Sequence, residues 1–207
     1  MTKYYAVKKG KNPGIYTTWD QCKQEVQGYS GALYKIFKSL DEAKAYLDPS
    51  EESLRDLETP GPEDLDSTTM VAYVDGSYRQ EDHSYSFGCF LYWQGGEREW
   101  SRRFKDDGAA DLRNVAGEIL GAQEAMTFAK KMGMKKLILH YDYAGIRHWA
   151  LGEWKRNKEE TKSYHNFYQD MKKDLEVHFI KVEAHSGNPG NERADLLAKE
   201  ADFSPED

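Results

Sequence analysis

The run Met70-Val-Ala-Tyr-Val-Asp75 is almost continuously apolar and ends on a carboxylate, just before Gly76-Ser77. A strand apolar at successive positions needs cover on both faces, so it predicts the centre of a layered α/β sheet. A carboxylate at the end of such a strand is costly unless it is paired or bound to a cation. Three more acids stand in similar settings. Glu118 lies on the otherwise apolar helix stripe 115–118–119–122–126, Asp142 ends Leu137-Ile-Leu-His-Tyr-Asp, and Asp195 borders Ala194, Leu197, Ala198 and Ala201. Carboxylates meeting at strand ends repel one another, so a divalent cation is their natural complement. Oxygen-only ligands favour Mg²⁺ or Mn²⁺ over zinc. Singly, each acid also reads as a cap or a solvated edge residue, and Asp195 as an acid favouring the first half of its helix. The combination carries the metal reading.

The neighbouring segments supply the rest of a sheet. Residues 85–93 and 98–104 read as strands joined through Gln94-Gly-Gly, a hairpin signal. Residues 114–132 read as a helix, 136–142 as a strand, 144–153 and 164–175 as helices, and 177–182 as a strand. Asn188-Pro189 places a cap and a first-turn proline ahead of a helix reaching about residue 201. The order β-β-β-α-β-α-α-β-α predicts three antiparallel strands extended by parallel ones, with helices over the faces.

Charge divides the chain further. Residues 1–48 hold eight Lys against five acids, residues 49–68 one Arg against seven acids, and residues 69–207 twenty bases against 24 acids. The net charge of −7 therefore conceals a basic N-terminal unit behind an acidic connector. Setting aside Asp75, Glu118, Asp142 and Asp195 balances the last segment, so a cation-loaded site there need not repel phosphate. The expected organisation is a small α+β module (1–48), a Pro-rich linker (49–68) and an α/β domain (69–203). In the module, Tyr4-Tyr-Ala-Val and residues 32–37 read as strands. Thr18 caps one helix, and Ser39 with Glu42 forms a capping box for another, giving a β–α–β–α unit. Val26, Leu33, Ile36, Phe37, Leu40, Ala43 and Leu47 are its expected core.

Several classes are excluded or disfavoured. There is no apolar run long enough to span a membrane, no signal-peptide or transit-peptide pattern at Met1, and the two cysteines, Cys22 and Cys89, match no zinc or redox spacing. No phosphate-loop, zinc-protease or nucleophile-elbow motif occurs. The expectation is a cytoplasmic monomer with no membrane contact.

Four motifs, in this order, carry a family resemblance: Tyr73-Val-Asp75-Gly-Ser77, Asn114-Val-Ala-Gly-Glu118, Tyr141-Asp142 and His185-Ser-Gly-Asn-Pro-Gly-Asn191-Glu-Arg-Ala-Asp195. Across residues 70–202 the chain resembles ribonuclease H of type 1. The resemblance implies a five-stranded mixed sheet flanked by helices, and hydrolysis of the RNA strand of RNA–DNA hybrids to 5′-phosphate and 3′-hydroxyl ends. It implies two Mg²⁺ ions, with Mn²⁺ as substitute, held by Asp75, Glu118, Asp142 and Asp195, as two-metal phosphoryl chemistry uses. It also implies that Glu118 faces an RNA 2′-hydroxyl and that His185 assists proton transfer or product release. Gly76, Ser77 and Asn114 would meet the hybrid, with Val115 standing where many relatives carry a second Asn. Trp149, Trp154, Lys155, Arg156 and Lys158 resemble a shortened basic protrusion, and Thr161 and Ser163 would contact DNA phosphates.

Tyr4-Tyr-Ala-Val-Lys-Lys-Gly, Gly14-Ile-Tyr-Thr-Thr-Trp-Asp-Gln-Cys and Ala32-Leu-Tyr-Lys-Ile-Phe-Lys-Ser resemble the hybrid-binding, or viroplasmin-like, domain over residues 3–47. That implies stacking of Trp19 and Tyr34 on the DNA strand's sugars and a phosphate contact from Lys35, with Tyr5 also in the hybrid-binding set. Ile36 stands where members often carry a second Lys. Double-stranded RNA is a further partner of such a module. Two other readings stay open: a non-catalytic protein binding hybrid or double-stranded RNA, and a same-fold DNA nuclease. The first predicts a missing carboxylate, and none is missing. The second leaves Asn114 and the N-terminal module unexplained.

Overall fold

The computed structural model describes residues 3–47, 59–105, 112–183 and 187–203. The chain divides into two compact units, residues 1–53 and 54–207.

The first unit is an antiparallel sheet of order β2-β1-β3, formed by β1 (Tyr4–Lys9), β2 (Gly14–Tyr16) and β3 (Leu33–Phe37), with helices α1 (Trp19–Val26) and α2 (Leu40–Leu47). Thr18 caps α1 by accepting from the Gln21 amide. The sequence signals β–α–β–α; strand β2 is extra. It is three residues long and glycine-led, too short to show a period, and it exists because β1 pairs with it from Tyr5↔Tyr16 to Val7↔Gly14. Ala6, Val7, Cys22 and Ala43 are fully buried. Of the expected core, Leu33, Ile36 and Leu40 are 44%, 50% and 38% exposed. Strand β3 has one strand neighbour, and a unit this small cannot cover both its faces.

The second unit contains β4 (Thr69–Arg79), β5 (Ser84–Trp93), β6 (Gly96–Phe104), α3 (Asn114–Lys131), β7 (Lys136–Tyr141), α4 (Gly145–Leu151), α5 (Glu159–Met171), β8 (Glu176–Lys181) and α6 (Pro189–Glu200). Its five-stranded sheet has the order β6-β5-β4-β7-β8, antiparallel on one side of β4 and parallel on the other. This is the mixed sheet expected from the sequence. Helix α5 begins five residues before its expected start. The acids Glu159 and Glu160 suit the positive end of its dipole, and Thr161, Tyr164 and Tyr168 give it a buried stripe.

Alternation assigns the two faces. On one lie Val71, Tyr73 and Asp75 of β4, Tyr92, Phe90 and Gly88 of β5, and Ile138 and His140 of β7, in three successive rows. On the other lie Met70, Ala72 and Val74, with α3 against them. Helix α6 covers part of the first face. A Cβ on Gly88 would stand 2.1 Å from the Ala194 carbonyl, so only glycine lets that helix settle on β5. The remainder is covered by the end of the connector. Leu65 is buried with Val71, Tyr73 and Ala194, against Phe90, Tyr92 and Ile138. Residues 59–68, read from sequence as linker, thus lie on the second unit.

The far end of α6 is held by Arg103 of β6, which is 3% exposed. Its guanidinium donates to the carbonyls of Ala201 (2.8 Å), Lys199 (3.2 Å) and Ala198 (3.3 Å) and to Ser84 Oγ (3.1 Å). Those carbonyls are the ones a helix leaves without intrahelical donors. Arg103→Met removes these donors while keeping most of the volume, and leaves Ala198 its bond from Ser86 Oγ. It should cost about 3 kcal/mol and lower Tm by roughly 10 °C in a calorimetric scan; an unchanged Tm would refute this anchoring.

Candidate active site

Asp75 owes its position to a mismatch in strand length. Strand β4 continues to Arg79 against β5, four residues beyond the end read from sequence, but β7 ends at Tyr141. Asp75 therefore overlooks the edge that β7 has vacated, and Asp142 follows directly where β7 stops. From α3, Glu118 enters the same notch because Gly76 lets the helix approach. A Cβ there would lie 2.0 Å from the Asn114 carbonyl.

Asp75, Glu118 and Asp142 each offer an oxygen within 4.8 Å of the others. Asp75 Oδ1 accepts from the Gly76 amide at 2.7 Å, and Glu118 Oε2 from the Tyr143 amide at 3.2 Å. Glu118 is fully buried, and its Oε1 has no hydrogen-bond partner among the described residues. Burial, then the charge of Asp142, raises the Asp75 carboxyl to about 7. Burial, then Asp142 and Asp75, raises Glu118 well above the carboxylate range. An orphaned buried oxygen and three crowded acids are the environment that a hard divalent cation satisfies. The donor set fits Mg²⁺ or Mn²⁺.

Asp195 lies apart from this trio. Its Oδ2 accepts from Lys199 Nζ one turn along α6 at 2.7 Å, yet its charge still pushes Asp75 upward. Asn114 opens α3 and is exposed beside the notch. Ser77 is half-buried on β4, paired with Ser86. His185 falls outside the described residues.

The amino-acid motifs are borne out in family terms. The profile described as RNase H matches residues 67–202, and the one described as Ribonuclease H1 N-terminal domain matches residues 3–47. The chain belongs to the ribonuclease H family. Mouse Ribonuclease H1 is 26% identical over 262 residues, covering 99% of this chain and 90% of its own. Among solved structures, the RNase H1 of Halobacterium salinarum superposes with a TM-score of 0.54 at 22% identity, covering 64% of this chain and 96% of its own. The LC11 RNase H1, solved in complex with an RNA/DNA hybrid, superposes with a TM-score of 0.52 at 18% identity over 64% of this chain and 95% of its own.

Within this ribonuclease H, several contacts suggested by sequence are placed otherwise. Glu118 presents no exposed oxygen to a 2′-hydroxyl. Gly76 lies beneath α3. Trp149 is 8% exposed, packed on Tyr143 (5.6 Å between centroids) and Trp154 (5.9 Å), so it is a core aromatic. Thr161 is buried and donates to the Lys158 carbonyl at 2.8 Å, closing the first turn of α5. Ser163 is exposed on α5, beside a cavity of about 210 Å³ shared with Tyr85, Ile119, Gln123 and Glu160. In the first unit, Trp19 lies between Tyr5 (6.0 Å) and Tyr34 (5.6 Å), and is 39% exposed. Lys35 points to the opposite sheet face, with its ammonium 5.8 Å from the Phe37 ring centroid. One group was missed from sequence. Tyr73 carries a hydroxyl into the central strand, and a buried tyrosine hydroxyl seeks a partner; only the folded chain identifies its partners.

The raised Asp75 carboxyl fixes the sign of a pH effect. Between about 4 and about 7 the folded site keeps a proton that the unfolded chain releases, so cation-free stability falls as pH rises through that window. Asp75→Asn should flatten this fall and raise the cation-free Tm at pH 8 by about 5 °C. Scans at pH 5 and pH 8 in chelator check it; a wild-type Tm that rises across the window would contradict the burial-and-repulsion account.

Proposed function

We propose that this chain cleaves the RNA strand of RNA–DNA hybrids endonucleolytically, with divalent cations held by Asp75, Glu118 and Asp142 and by Asp195 from α6. The observation that carries the reading is the trio of acids whose oxygens lie within 4.8 Å of one another in a notch of a ribonuclease H fold. When bound, Mg²⁺ or Mn²⁺ supplies Lewis-acid stabilisation of the charge that develops on the attacking and departing oxygens. The chain's own groups do the rest. The Gly76 amide holds Asp75 toward the notch, and the Tyr143 amide holds Glu118 by one oxygen, leaving the other free to bind. Hydrolysis at the 3′ oxygen leaves 5′-phosphate and 3′-hydroxyl ends. Asn114, exposed at the start of α3, would meet the hybrid's minor groove.

The first unit is proposed to grip the same substrate. Tyr5, Trp19 and Tyr34 form an aromatic row for sugar stacking, and its lysines give a salt-sensitive phosphate contact.

The deciding experiment uses a strand-labelled hybrid, a double-stranded RNA and a duplex DNA, each with Mg²⁺ and with chelator. Cleavage of the hybrid's RNA strand alone, in Mg²⁺ alone, is expected. Asp75→Asn should lower kcat by at least about 1,000-fold while hybrid binding persists; an equally active variant would refute the metal assignment. Trp19→Ala should weaken hybrid binding by roughly tenfold with kcat unchanged, read by fluorescence anisotropy at fixed salt. Unaltered affinity would remove the stacking role.

A further inference from the structure

The sheet face that bears Asp75 has two covers, α6 and the end of the connector, and one side chain joins them. Tyr73 lies two residues before Asp75 on the same strand face. Its ring stacks on His140 of β7 at 4.2 Å with an interplanar angle of 15°, and a Cβ on Gly190 of α6 would stand 2.5 Å from it. Its hydroxyl faces the side chains of Thr59, Tyr92 and Asn188. Thr59 Oγ1 also lies 3.1 Å from His140 Nε2, and the Tyr92 hydroxyl donates to the Pro60 carbonyl at 3.0 Å. Asn188 in turn caps α6, its Oδ1 accepting from the Asn191 amide at 3.2 Å. Leu65 completes the cover over Val71 and Tyr73.

These contacts tie three carboxylate-bearing elements to one point. Strand β4 carries Asp75 two residues past Tyr73. Strand β7 leads to Asp142 two residues past His140. Helix α6 carries Asp195 two turns past its Asn188 cap. Residues 59–65 fall outside both spans that match known families, 3–47 and 67–202. We propose that residues 59–65 are a latch which, through Tyr73, positions β4, β7 and α6 so that their carboxylates share cations. Thr59 and Tyr73 are then positioning residues, which touch neither cation nor substrate.

The inference rests on the proposed metal site, and the test separates the two. In the full chain, Thr59→Val and Tyr73→Phe each delete a hydroxyl and keep the packing. Each should raise the Mg²⁺ concentration for half-maximal cleavage about fivefold, with KM for hybrid within about twofold of wild type. The double variant should fall short of the sum of the two single effects, because both hydroxyls act on the one point where Thr59, Tyr73 and His140 meet. Each should also speed hydrogen exchange at the Asn191 amide, a readout that needs no metal. Unchanged Mg²⁺ half-saturation and unchanged exchange, even with a lower Tm, would overturn the latch and leave these residues as ordinary core. If wild-type cleavage instead survives chelation, the metal reading fails by itself, and the exchange result still decides whether the latch positions α6.

Discussion

Mutual repulsion of three carboxylates in a poorly solvated notch is the constraint around which the second unit is built. Asp75, Glu118 and Asp142 come from a strand, a helix and the residue just past a second strand, and no two are neighbours in sequence. Burying them, and then bringing them together, costs free energy, visible in the upward push on Asp75 and Glu118. Such strain persists only where surrounding packing over-determines it. Here the packing is the close approach of α3 at Gly76, the approach of α6 at Gly88 and the anchoring of α6 by Arg103. A cation converts the cost into affinity, so the same crowding that weakens the cation-free fold tunes the site to bind.

Much of this was legible in the sequence because burial leaves a pattern. The apolar run ending at Asp75 announced a central strand, and Glu118 stood out as one acid on an apolar stripe. Asn188-Pro189 marked the start of α6, and the structure places the cap there. What stayed illegible depends on which surfaces meet. Trp149 and Thr161 look like surface contacts because their neighbours are charged, yet helix packing turns both inward. Leu33, Ile36 and Leu40 look like core and stay partly exposed, 38–50% among the described residues. Strand β4 runs past Asp75, since strand ends are set by partners and β5 offers pairing where β7 does not.

The connector shows the same limit most clearly. Its prolines and acids read as a spacer, and composition alone supports nothing else. In the fold, Thr59, Pro60 and Leu65 close a sheet face that one helix leaves partly bare. A hydroxyl within an apolar strand was the available signal, and the side chains it faces come from segments far apart in sequence: residues 59, 92 and 188.

The most direct test of the account is anomalous diffraction from crystals grown with Mn²⁺ at pH 8. The account predicts a pair of manganese peaks in the notch, coordinated by oxygens of Asp75, Glu118 and Asp142, with Asp195 turned from Lys199 toward them. Peaks confined to other carboxylates, or a notch without manganese at saturating concentration, would contradict it.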